Sequence, residues 1–317
     1  MPSTIIITGG HGFVGRHLVT QLQQAAAADQ LVVWDQQSAA TAPSVRSVTV
    51  DITIPASYEE SLRETQPTWL IHLAAVSAVG SSLKDPARTK AINVTATKQL
   101  LETITRVSPA TKVLAISSAD IYGTRPASSE PTPELPLSAA KPANPYAASK
   151  LAMEQVIESG FNDRVIRVRP FPHIGPGQRQ GFVTADFASQ IAAIELAANP
   201  TKAVLKVGNL DAQRDFTDVR DVVRAYCLLL ETGRLGEVYH VASGKLVGIR
   251  DVLQQLIALS PARITVQEDP ARLRPVDSAA VVGDAAKLRA ATGWQPTIPL
   301  QQTLQDILAD WRSRVAS

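Results

Sequence analysis

The chain has 317 residues, 45% of them hydrophobic, so it can bury a large core; one large or two interlocked domains are expected, and disorder is excluded as its main state. Its 31 Lys and Arg against 29 Asp and Glu give a net charge of +2, which leaves no surplus to neutralise a polyanion and argues against a nucleic-acid partner. The single cysteine, Cys227, can form neither an intrachain disulfide nor a thiolate zinc site, and suits a reducing compartment.

Near the N-terminus the short run Ile5 to Ile7 has no basic segment before it, so a secretory signal is not expected and a cytoplasmic location is. The uncharged stretch from Thr65 to Leu83 is interrupted by Pro67, His72 and several Ser and Thr, and reads as strand and loop, not as a membrane span. In chain order the pattern predicts strands at Thr4 to Thr8, Leu31 to Trp34, Ser47 to Val50, Trp69 to Leu73, Lys112 to Ser117 and Val165 to Val168. Between them it predicts helices at Phe13 to Ala28, Ser57 to Thr65, Ala87 to Arg106 and Pro145 to Glu158. This alternation implies an α/β fold, a doubly wound parallel sheet with helices on both faces.

The segment from Arg125 to Asn144 carries five prolines, which remove backbone donors and predict a long loop at the carboxyl edge of the sheet. A second Pro/Gly concentration, Pro170 to Gly181, marks passage into a smaller C-terminal region whose helices read as short and interrupted. The chain is expected to return to the sheet around 215–243, through a helix at Val219 to Glu231 and a strand at Glu237 to Val241. The expected division is therefore 1–170 with 215–243 as the dinucleotide-binding domain, and 171–214 with 244–317 as the substrate domain.

Thr8-Gly9-Gly10-His11-Gly12-Phe13-Val14-Gly15 follows the first strand and opens the first helix. Gly9 permits a tight turn, Gly12 a close approach to a pyrophosphate, and Gly15 close packing of helix on strand, while the helix N-terminus offers amides to the phosphates. Asp35, twenty residues beyond Gly15, is placed to accept hydrogen bonds from a ribose and would repel a 2′-phosphate. It favours NAD(H) over NADP(H), although Arg16 nearby could compensate. Asp51 and Ile52 suit the edge and face of an adenine; an Asp after a strand is also ordinary turn chemistry.

Asn144-Pro145 reads as an N-cap with Pro at the first helical position, which sets Tyr146 and Lys150 four apart on one face. An ammonium beside the phenol would favour the phenolate and lower its pKa, so that Tyr146 could deliver a proton to a carbonyl oxygen as hydride arrives. Ser118, at the end of the Lys112 to Ser117 strand, could bond the same oxygen, or could merely satisfy backbone groups. No two histidines have the spacing of a metal pair, and no metal is expected; Cys227 reads as core.

Taken together, Thr8 to Gly15, His72-Leu73-Ala74-Ala75, Asn93, Ser118 and Tyr146 with Lys150 resemble the extended short-chain dehydrogenase/reductase superfamily, nearly end to end. The runs Arg169 to Gln178, Val207 to Leu210, Arg214 to Asp221 and Arg272 to Pro275 are similar to those of GDP-4-keto-6-deoxy-D-mannose reductases, which make GDP-D-rhamnose. The resemblance implies a Rossmann-type sheet with a smaller C-terminal substrate-binding domain. It implies Ser118, Tyr146 and Lys150 as catalytic residues. Gly9, Gly12, Phe13, Val14, Gly15, Asp35, Asp51, Ile52, Leu73, Ala74, Ala75 and Asn93, with Tyr146 and Lys150, would hold NAD(H) or NADP(H), Lys150 at the nicotinamide ribose. Asp120, His173, Lys206, Val207, Gly208, Asn209, Arg214, Arg274 and Asp277 would join Ser118 around a GDP-sugar, with Arg214 and Arg274 clamping the diphosphate; the plainer role for these arginines is pairing with Asp215 and Asp277. A homodimer through the Ala87 to Arg106 and Pro145 to Glu158 helices is also implied.

Three positions bear on the reaction. Pro172 stands where the family has Asn, so a substrate hydrogen bond is lost there. Asp120 stands where related dehydratases place a Glu base, which keeps a dehydratase open, though the shorter side chain argues against it. Fucose-forming epimerase-reductases have Cys and His at the positions of Asp120 and Gly177, and both are missing here. A 4-epimerase or 4,6-dehydratase is the enzymatic alternative. A non-catalytic dinucleotide sensor, which would have no need of Ser118, Tyr146 and Lys150 together, is the other.

Overall fold

The computed structural model describes residues 3–37, 44–124, 130–197, 203–273 and 280–316. Six strands in chain order, β1 (Thr4–Thr8), β2 (Gln30–Asp35), β3 (Val45–Thr49), β4 (Trp69–His72), β5 (Lys112–Ile116) and β6 (Val165–Pro170), join the strand Val238–Val241 in one seven-stranded sheet. Reading across, the order is β3, β2, β1, β4, β5, β6 and Val238–Val241, every pairing parallel. The order reverses between β1 and β4, where an open sheet of this kind leaves its ligand crevice.

Period-two alternation divides the strands between two cores. Ile5, Ile7, Val33 and Ile71 pack with Leu18 and Leu22 of the Phe13–Gln24 helix and with Val222, Tyr226 and Leu229 of the Val219–Thr232 helix. On the opposite face, Ile6, Val32, Leu70 and Val113 meet Leu100, Ile104, Met153 and Ile157. A third core unites Phe187 and Ile191 with Leu205, Val252, Leu256, Leu304 and Leu308.

Two expectations are corrected. The first helix stops at Gln24, and the alanine run lies in the turn after it, with Ala26 at φ 46°. The C-terminal helices are not short: Val183–Leu196 has 14 residues and Leu300–Ala316 has 17. The Val183–Leu196 helix is buried on most sides, with its own Ala185, Phe187, Ala188, Ile191 and Ala192 all out of solvent, so it lacks the polar stripe by which a helix is recognised in sequence.

Candidate active site

The carboxyl ends of β1, β2, β4, β5 and β6 open into one cleft of about 1350 Å³. Its first wall is the glycine loop. Gly9 takes φ +70°, and its amide donates to Trp34 O at 2.7 Å, which seats the loop on β2. A Cβ on Gly15 would lie 2.4 Å from Gly9 O, so only glycine lets the helix start this close to the loop. No side chain caps the helix at Gly12, so its first amides remain suited to an anion.

Asp35 lines the cleft at the end of β2, and its Oδ2 accepts from His11 N at 3.0 Å. Arg16 also lines it, with Nε donating to His11 O at 2.8 Å. Phe13, Val14, Ile52, Leu73, Ala74 and Ala75 complete this half. These features fit a dinucleotide: a cradle that a Cβ would fill, uncapped amides, and a carboxylate at ribose distance in the chain.

Two expected cofactor contacts stand elsewhere. Asp51 is not on the cleft wall; its Oδ1 accepts from Thr53 N at 2.9 Å and Thr53 Oγ1 at 2.6 Å, the turn chemistry named as its alternative. Asn93 is buried behind the wall, where Oδ1 accepts from Val76 N (2.8 Å) and Nδ2 donates to Val76 O (3.1 Å) and Ser149 Oγ (2.9 Å). It holds the backbone that borders the cleft.

Asn144 Oδ1 caps the Pro145–Gly160 helix by accepting from Ala147 N at 2.9 Å, with Pro145 at the first position. Tyr146 and Lys150 both face the cleft. Lys150 Nζ donates to Ile116 O at 2.6 Å, and burial brings its ammonium down to about 8, opposed by the negative charge of Glu154. The Ser118 hydroxyl stands on the same cleft wall, accepting from Asp120 N at 3.1 Å, and favours the ionised form of the Tyr146 phenol. Burial first, and the Asp120 carboxylate second, push the Tyr146 pKa above its ordinary value, against the pull of Ser118. The net direction is opposite to the expected lowering, because removal from water and the Asp120 charge both favour the neutral phenol.

On the far side, His173 stacks on Phe13 with ring centroids 6.2 Å apart and 6° between planes, which joins the loop after β6 to the glycine loop. Lys206, Val207, Gly208, Asn209 and Arg214 line the cleft, as do Asp120 and Pro172. Gln190 fixes Lys206 by accepting from its N at 2.9 Å and donating to its O at 3.0 Å. The carboxylate of Asp215 accepts from Ser243 N, Gly244 N and Gly283 N at 2.8 to 3.1 Å, so it is engaged with backbone. Arg274 and Asp277 lie outside the described residues. Sequence reasoning missed Arg179 and Arg272, which also line the cleft; Arg179 follows the Gly-Gln of the loop after β6, and Arg272 begins the Arg-Leu-Arg-Pro run, signals that were available.

A doubly wound sheet with this glycine loop, and a Ser, Tyr and Lys gathered opposite it, defines an extended short-chain dehydrogenase/reductase. A family model described as GDP-mannose 4,6 dehydratase matches residues 6–307, and the chain belongs to that family. It is 38% identical to the GDP-6-deoxy-D-mannose reductase of Pseudomonas aeruginosa over 99% of both chains, and 28% identical to the GDP-6-deoxy-D-talose 4-dehydrogenase of Aggregatibacter actinomycetemcomitans over 91% of both. Among solved structures, RMD from Pseudomonas aeruginosa complexed with NADPH superposes with a TM-score of 0.83 at 36% identity, covering 98% of this chain and 99% of the other.

Proposed function

We propose that the protein uses NADH or NADPH to reduce the C4 keto group of GDP-4-keto-6-deoxy-D-mannose, giving GDP-D-rhamnose. The observation that carries this reading is the meeting of Tyr146, Ser118 and Lys150 across one cleft from the glycine loop, in a chain 38% identical to a GDP-6-deoxy-D-mannose reductase. When bound, the reduced nicotinamide supplies the hydride. Tyr146 keeps its proton at Oη through the neutral range, because burial holds its pKa high, and gives it to the carbonyl oxygen. Ser118 Oγ steadies that oxygen as charge develops, and the Lys150 ammonium stabilises the phenolate left behind. Lys206 to Asn209, Arg214 and Arg274 hold the nucleotide and its diphosphate, joined by Arg179 and Arg272.

Asp35 favours NADH, because a 2′-phosphate would meet its charge; a kcat/KM ratio above one for NADH over NADPH tests this. We further propose the two-domain division given above, a cytoplasmic location, and a homodimer through the segment 86–107 and the Pro145–Gly160 helix, measurable by light scattering. Among the described residues no helix is long and apolar enough to cross a membrane.

Incubation with GDP-4-keto-6-deoxy-D-mannose and NADH or NADPH is expected to consume reduced cofactor in step with keto sugar. Unchanged absorbance at the nicotinamide band rejects the reductase. A 4,6-dehydratase is the second reading, favoured by Asp120, a carboxylate on the cleft wall at the position where related dehydratases place a Glu base. It would convert GDP-mannose without net loss of cofactor.

A further inference from the structure

His72 ends β4 and is 3% exposed. It does not line the cleft, and the reaction outlined above does not use it. Its neighbours are hydroxyls on both sides: Nδ1 is 2.8 Å from Thr8 Oγ1, and Nε2 is 2.9 Å from Thr97 Oγ1. Proton counting assigns the direction of every bond. Thr97 has one hydroxyl hydrogen and gives it to Asn93 O at 3.0 Å. The imidazole must therefore donate from Nε2, which leaves Nδ1 as an acceptor for the Thr8 hydroxyl. Thr8 Oγ1 in turn accepts from Ala74 N at 3.1 Å. The imidazole is neutral, as burial requires.

We propose that His72 is a positioning residue which, as its neutral Nε2-protonated form, ties the 73–76 backbone under the cofactor cleft to the helical turn that carries Asn93 and, through it, to the catalytic helix. The second half of the tie is also continuous. Asn93 clamps Val76 and donates to Ser149 Oγ, and Ser149 donates to Tyr146 O at 2.7 Å. The turn itself, Ala91–Ala96, is π-helical, a departure that often marks a functional constraint. There is no slack at the other end: a Cβ on Gly9 would lie 3.0 Å from Ala74 N, so a displaced 73–76 segment presses on the glycine loop. Displacements near 1 Å in such a frame reduce turnover by as much as about a hundredfold.

The inference rests on the dinucleotide reading of the cleft, so the test has one arm that needs no ligand. In His72→Phe, which keeps the ring and removes both bonds, amide hydrogen exchange across residues 73–76 is expected to quicken by about tenfold or more, with β2 and β3 unchanged. In the second arm, kcat is expected to fall by about ten- to a hundredfold and the NADPH or NADH Kd to rise, with the KM of the keto sugar held. His72→Gln, whose amide can donate where Nε2 did, is expected to recover part of the loss. Thr8→Val removes one bond with little change of volume and carries both arms if His72→Phe does not fold. Unchanged exchange at 73–76 in a folded variant overturns the tie. Unchanged kcat and cofactor Kd, with only the melting temperature lowered, reduces His72 to a core residue and overturns the proposal equally. Failure of the unaltered protein to bind either nicotinamide dinucleotide would instead sink the reading of the cleft, and the exchange arm would still decide the tie.

Discussion

Replacing Glu154 by Gln should move the alkaline limb of the pH profile to lower pH. Glu154 follows Lys150 by four residues on the catalytic helix and is fully buried, with its two oxygens 2.9 and 2.8 Å from Arg169 Nε and Nη2. Burial brings Lys150 down to about 8, and the Glu154 charge resists that fall. Charges at this helical spacing lie on the order of 6 Å apart, and an effective dielectric near 20 gives an attraction of about 2 to 3 kcal/mol, or about two pH units. Solvent in the open cleft screens part of it, so we expect a shift of about one unit. The ammonium is needed once the phenol has given up its proton, so kcat/KM should decline as pH rises through about 8 in the unaltered protein. In Glu154→Gln the decline should begin about one unit lower. The assay is cofactor oxidation followed between pH 6 and 9.5, with circular dichroism to establish that the variant is folded. A limb that does not move in a folded variant, or an unaltered protein with no decline across that range, refutes the reasoning.

Tyr146→Phe should lower kcat by about 10²- to 10⁴-fold while leaving cofactor affinity close to that of the unaltered protein; activity within about tenfold would remove the phenol from its role as acid. Arg169→Met should cost about 3 to 5 kcal/mol in urea unfolding, because it strips the buried Glu154 of its two-point partner and leaves only Arg167, 3.9 Å away. A loss below about 1 kcal/mol would show the pair to be unimportant for stability. Burial depresses His72 and His240 to about 3 from their ordinary 6.5. Between those values the unfolded chain binds the protons, so stability is whole above about pH 6.5 and is lost as pH falls, by about 2 kcal/mol per histidine at pH 5. A melting temperature that stays level from pH 7 to 5 would contradict this.

The fold was legible wherever short-range rules decide it. The three consecutive isoleucines of β1 and the Gly-x-x-Gly-x-x-Gly after them could hardly be anything but a buried parallel strand and a phosphate turn, and Asn144-Pro145 set the start of the catalytic helix to the residue. That Tyr146, Lys150 and Ser118 share one cleft was readable because Ser118 follows the end of β5, and Asn144-Pro145 fixes the helix start that places Tyr146 and Lys150 one turn apart. Asp51 was ambiguous because a carboxylate after a strand can serve a ligand or its own turn, and its bonds to Thr53 supply the turn role. The Val183–Leu196 helix was hidden for the opposite reason, since an element buried on most sides has no periodic polar face to announce it.

What the sequence could not convey is the sign of the electrostatics at the phenol. Tyr-x-x-x-Lys suggests a depressed pKa, but that inference assumes that the two groups differ only in charge and share ordinary solvent. The cleft wall removes both from water, and desolvation acts on each in the direction that favours its neutral form. The result suits reduction better than the expected one. A group that must protonate a carbonyl oxygen at neutral pH has to hold its proton until the oxygen becomes basic, and a phenol already drawn towards phenolate would begin the reaction discharged. Glu154 then matters because its charge keeps the Lys150 ammonium available despite burial, and Arg169 holds Glu154 while its Nη1 bonds Oη of Tyr122, the last residue of the Ala119–Tyr122 turn, at 2.7 Å. These partners are separated by as many as 47 residues in the chain, and no local pattern links them. The acid is set by its own surroundings and the charge beside it by a distant pair, so altering that pair should change the pH at which the enzyme works before it changes what the enzyme binds.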